Sequence, residues 1–138
     1  MAGSKSDFLE NKILDLVLGA VAYTAPTTVY IALFTDTNTA TQRDAGTVTE
    51  VSGGSYARVA VTNNTTNWPA ASAGSKSNGT AITFPTSTAS WGTVTAFGIY
   101  DASTAGNLLY WGDLTASQAV GTNNTLSFQV GQLTVTED

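Results

Sequence analysis

The 138-residue chain contains no cysteine and no histidine, and its five Lys and Arg face ten Asp and Glu. Without cysteine there can be no disulfide, no thiolate metal ligand and no thiol nucleophile. Without histidine, the commonest general base and imidazole ligand is missing, so a hydrolytic triad has no base despite 36 Ser and Thr. A net charge of −5 without a basic cluster argues against nucleic-acid binding, which needs cations to displace counterions. No glycine-rich phosphate loop leads into a lysine, no GxGxxG precedes a helix, and no cofactor or metal motif is present. Long apolar runs are also missing. The best stretch, ILDLVLGAVAY at 13–23, is broken by Asp15 and preceded by Asp7 and Glu10. It reads neither as a signal peptide, despite Ala20-Val21-Ala22, nor as a membrane span.

What remains is hydroxyl-rich and alternating. Charged residues are only 11% of the chain, against ~25% in ordinary domains, and Thr, Val and Ile favour strands. The richest stretch is 91–114, which reads as a hairpin. Val94, Phe97 and Ile99 lie on its first strand and Leu108, Leu109, Tyr110 and Trp111 on its second. Its turn at 101–107 is built on Asp101, Gly106 and Asn107. Residues 28–35 (TVYIALFT) are apolar on both faces and predict a central strand. A second hairpin is expected over 48–62 with its turn at 52–55, placing Arg58 inside a strand. Short strands are expected at 81–84, 124–130 and 133–136, with Gly131 as a bend.

Before these strands, Asp7-Phe8-Leu9-Glu10 has the form of a capping box, and Leu9, Ile13, Leu16, Val17 and Ala20 make one apolar stripe. A helix over about 7–20 follows, as a lid on the sheet or, as the alternative, a dock for a partner. Residues 1–6 read as a flexible lead, and 7–138 as a single β domain of β-sandwich or jelly-roll-like form, mainly β with one N-terminal amphipathic helix. Residues 36–47 and 63–79 read as long polar loops, the second pinned or tipped by Trp68.

Candidate chemistry is thin. Asp36-Thr37-Asn38 starts like a calcium loop but lacks the third ligand, the central Gly and the closing Glu. Asp101 and Asp113 are the one carboxylate pair that a glycosidase could use, though both sit where turns favour Asp. Sequons begin at Asn63, Asn64, Asn78 and Asn123, and in so Asn- and Thr-rich a chain they carry no glycosylation prediction. Three classes stand: a structural or assembly module, a binding or adhesin module using Tyr, Trp and the long loops, and a carbohydrate-active enzyme, which the missing groups disfavour.

The segments LENK at 9–12, YTAP at 23–26, YIALFT at 30–35, EVSGG at 50–54, YAR at 56–58, NWP at 67–69, ITFP at 82–85 and AFGIYD at 96–101 together resemble a family of small tailed-bacteriophage virion proteins. Its members are labelled tail fibre or capsid decoration (cement) proteins, and the resemblance covers roughly 8–136. It implies a non-enzymatic structural protein on the virion, partnered by the major capsid protein or other virion proteins. It also implies a homo-oligomer, with a trimer favoured, and neither nucleic acid nor membrane as partner. Capsid decoration is the preferred location, because heptads, collagen-like spacing and β repeats of a fibre shaft are missing. A tail-associated fibre or tail-tip protein contacting the host is the alternative. Arg58, Trp68, Tyr100, Tyr110 and Trp111 are the candidate interface residues, since aromatics and Arg are enriched at interface cores.

Overall fold

Seven strands form one mixed sheet in the computed structural model, which describes residues 2–137. In chain order the elements are β1 (Ala2–Lys5), α1 (Asp7–Gly19), β2 (Thr28–Phe34), α2 (Ala40–Asp44), β3 (Val59–Thr62), β4 (Ser75–Ser77), β5 (Ile82–Thr83), β6 (Gly92–Tyr100), β7 (Leu108–Val120), β8 (Ser127–Phe128) and β9 (Thr134–Thr136). The large sheet runs β3-β2-β6-β7-β1-β9-β4, while β5 and β8 pair as a separate ribbon. Among the described residues the one parallel pairing is β1 with β9. The body is mainly β and sandwich-like, as the sequence predicts.

The predicted hairpin is the middle of this sheet. β6 pairs with β2 on one side and β7 on the other. Because successive side chains point to opposite faces, β2 and β6 feed two cores. Ile31, Leu33, Phe97 and Ile99 enter the larger one with Ile82, Phe84 and Phe128 from the ribbon side. Phe128 meets Phe97 edge-on at 6.0 Å. Ala32, Phe34, Ala96, Tyr100, Leu108 and Trp111 form the smaller core on the other face. Phe34 lies so close over Gly98 that a β-carbon there would collide with its ring. The 101–107 turn closes as predicted. Asp101 accepts from the Asn107 amide at 2.7 Å and side chain at 2.8 Å, and Gly106 has φ +74°.

Several expectations are corrected. Residues 2–5 are strand β1, held between β7 and β9, where a flexible lead was expected; Met1 lies outside the described residues. The cap of α1 is Ser6, whose Oγ accepts from the Leu9 amide at 3.3 Å, one residue earlier than the Asp7 box. Residues 48–62 do not fold back on themselves. Phe34 bridges Glu50 while β3 pairs further down β2, so both segments line one edge of a strand apolar enough to recruit them. Arg58 accordingly precedes β3 and is not within a strand. The 36–47 loop folds around α2, capped by Thr39 with Gln42 in a reciprocal box. Residues 63–79 hold β4, and β7 runs on to Val120 through exposed small and polar residues that lack alternation.

Candidate functional site

Arg58, expected at an interface, is spent inside the chain. Its Nε and Nη2 donate to the two Glu50 carboxylate oxygens at 2.8 Å each, and its Nη1 donates to the Ala102 and Ala105 carbonyls at 2.8 Å. The guanidinium lies 3.6 Å from the Tyr100 ring centre. Burial alone would lower its pKa, but the bond and charge of Glu50 outweigh this and hold it raised. Tyr100 and Trp111 are buried in the smaller core and Trp68 in the larger. Tyr110 is half-buried and donates to Glu137 at 2.9 Å. Arg58, Tyr100 and Trp111 are thus placed as internal ties, whereas Trp68 and Tyr110, though largely covered, line a surface cleft.

Sequence reading missed a second polar cluster. Arg43 of α2 is buried, donating from Nε and Nη2 to Asp36 Oδ1 at 3.1 and 3.0 Å and from Nη1 to Asp113. Asp36 also accepts from the Thr49 amide at 2.7 Å, and Trp111 Nε1 donates to Asp44 at 2.6 Å. The available signal was one arginine in a polar loop flanked by Asp36 and Asp44. Asp113 pairs with Ala96, five residues down β6 from Asp101. At ~3.3 Å per residue the two carboxylates stand roughly 15 Å apart, beyond the ~5–9.5 Å of a glycosidase pair. Each is engaged structurally, so they do not form one site. Asn78, one of the sequon residues, is buried and donates to the Thr80 and Gln129 carbonyls. Among the described residues no cluster of acidic ligands could hold a metal ion. No helix among them is long and apolar enough to cross a membrane.

The tyrosines give a pH expectation. Burial first, then the bond to Glu50, pushes the Tyr56 phenol up, outweighing the Leu33 amide that donates to it. Burial first, then Glu137, does the same for Tyr110. Unfolded tyrosine ionises near pH 10. The stability these protonated phenols contribute is therefore whole below pH 10 and is lost as pH climbs toward their raised folded values. The melting temperature should hold up to about pH 10 and fall above it, with Tyr56 and Tyr110 ionising only on unfolding. An absorbance titration in which all five tyrosines ionise together near pH 10 while the chain stays folded would refute this.

The surface feature that stands out is α1. Of the helix only Leu9 is buried, and from Leu14 onward every residue is exposed as far as Ala22. The stripe expected to lid the sheet does so only at its root, with Leu9 buried and Ile13 half-buried, while Leu16, Val17 and Ala20 are exposed. The helix stops with Ala20 in the left-handed region at φ 55° and the Val21 amide donating to Asp15 O at 3.0 Å, a Schellman-type ending. Beside the root of the helix opens an apolar cleft of about 420 Å³. Leu9 and Ile13 form one wall, Tyr23 and Pro26 another, and Trp68 and Tyr110 also line it. The buried Trp68 Nε1 has no acceptor. An exposed apolar helix end thus lies beside an apolar cleft whose ionisable lining residues are Tyr23, Lys76, Tyr110 and Glu137.

A family model described as podophage GP4 fiber I protein gp80 matches residues 4–136. No curated protein sequence matches the chain.

Proposed function

The chain belongs to the podophage GP4 fiber I protein family, and from that premise we propose that it is a tail-associated, non-enzymatic structural protein of the virion that contributes to contact with the host surface. The family match itself makes it a phage structural protein. The observation that carries the finer reading is the family's description, which names a fibre, across nearly the whole chain. It supports the tail alternative over the capsid decoration that the sequence reading preferred. The lack of shaft-like repeats fits a compact module of such an appendage as well as it fits a lattice protein. Host contact would fall to the exposed residues 64–66 and 69–70, since Trp68 between them is buried.

Virion composition tests this directly. Quantitative mass spectrometry of purified particles should give a few to a few dozen copies, and particles lacking the protein should fail to adsorb while their shells keep normal heat resistance. Hundreds of copies per particle, with heat-sensitive shells when the protein is missing, would move it to the capsid surface.

A further inference from the structure

Five of the six large apolar side chains exposed among the described residues lie between Leu14 and Val21. Leu14, Val17 and Leu18 share one side of α1 at i, i+3 and i+4, and Leu16 lies opposite. The end of the helix is therefore apolar over most of its circumference, interrupted only by Asp15, the composition of a helix largely enclosed by protein. Nothing among the described residues encloses it. The cleft is the complementary vacancy, and its volume of about 420 Å³ is ample for the Val17 and Leu18 side chains. The helix cannot fill its own cleft, because its root supplies Leu9 and Ile13 as one of the walls. Only a second molecule can bring the two surfaces together.

We propose that the distal end of α1, residues 14–21, seats in the apolar cleft of a second copy of this chain. Area favours that occupant. The five exposed side chains offer on the order of 500 Å², and the cleft walls bring each copy to roughly 700 Å², within the ~600–1,000 Å² per partner of a standard interface. Charge favours it too. The last turn of α1 has no basic residue to offset the carbonyl end of its dipole; of the two charged residues lining the cleft, Glu137 is held by Lys5 and Tyr110, while Lys76, whose ammonium donates to the Trp68 and Pro69 carbonyls, keeps its positive charge. Each copy carries one helix end and one cleft, so the joint closes as a two-copy exchange or a small ring. It holds whether the protein sits on tail or capsid.

The test uses two variants at exposed positions, Leu18→Glu on the helix and Ala71→Trp in the cleft lining, read by light scattering after size exclusion with circular dichroism confirming the fold. The wild-type chain should associate at ~100 µM, and each variant alone should dissociate, with its dissociation constant raised by at least ~10-fold. Mixed in equal amounts, the two should form a heteromer, because the intact helix of Ala71→Trp meets the intact cleft of Leu18→Glu. A monomeric wild-type chain would overturn the proposal. So would an Ala71→Trp chain that associates like wild type, which would place helix against helix and leave the cleft out.

Discussion

Replacing Arg43 by alanine should cost about 3–5 kcal/mol of folding stability, the largest effect expected of any single charged residue in the chain. The side chains of Arg43 and Asp36 are 3% and 4% exposed, so removing the cation strands a carboxylate away from water. Asp36 cannot swing out to be solvated. It accepts from the Thr49 and Asn38 amides at 2.7 and 3.1 Å, which hold the polar segment against the sheet. Asp113 adds little to the balance because its side chain is 43% exposed and can return to water. Arg43 also lies 5.4 Å from the Trp111 ring, so its loss opens space over the smaller core. Urea unfolding of Arg43→Ala should show a midpoint far below that of the parent. Arg43→Met with Asp36→Asn should recover part of the loss, since no charge is then buried and the Asn oxygen can still accept from Thr49. A change under about 1 kcal/mol in Arg43→Ala would mean that Asp36 finds water or another partner, against the geometry described.

The contrast between Arg43 and Arg58 shows what the sequence could and could not disclose. Alternation made β2 and β6 readable, because Val29, Ile31, Leu33, Phe97 and Ile99 are on the strand period and face a core. The 101–107 turn was readable because Asp, Gly and Asn at those positions have one local use. The pairing of the two arginines was not, since Arg43 reaches Asp113, 70 residues away, through a register that no local pattern encodes. Aromatic content signalled importance but not side. Tyr100 and Trp111 read equally well as core or contact, and cover by Arg58 over the one and by Arg43 and Asp44 over the other decided it. The helix was found from its period, yet the same period implied one buried stripe. Leu14 and Leu18, off that stripe, were the sign that a second face needed covering. The candidate contact surface was thus legible in composition and illegible in direction. β1 was the hardest case, because Ala2-Gly3-Ser4-Lys5 has no alternation and is a strand only through its neighbours.

Deleting residues 2–5 should accordingly lower the melting temperature by about 10–20 °C, where a flexible lead would leave it unchanged. Among the described residues β1 is the only link in the hydrogen-bonded order between β7 and the β9–β4 pair. Ser4 and Lys5 lie opposite Trp111 and Tyr110 on one side, and Ala2 and Gly3 opposite Thr134 and Val135 on the other. Without β1, a handful of ladder bonds worth ~0.5–1.5 kcal/mol net each is lost. Leu133 and Val135, both in the larger core, would lose the strand that fixes their position, at up to ~1.5–3 kcal/mol for each side chain that becomes exposed. The Lys5–Glu137 pair would go as well, but it is partly exposed and adds little. Ser6 stays in the shortened chain, so the α1 cap is intact and the loss reports on the sheet. Thermal melts should show the drop, and hydrogen exchange should show the Val135 and Trp111 amides losing protection first. A melting temperature within about 2 °C of the full chain would mean that β7 and β9 are held together by the core alone, and that β1 only decorates a gap the sheet tolerates.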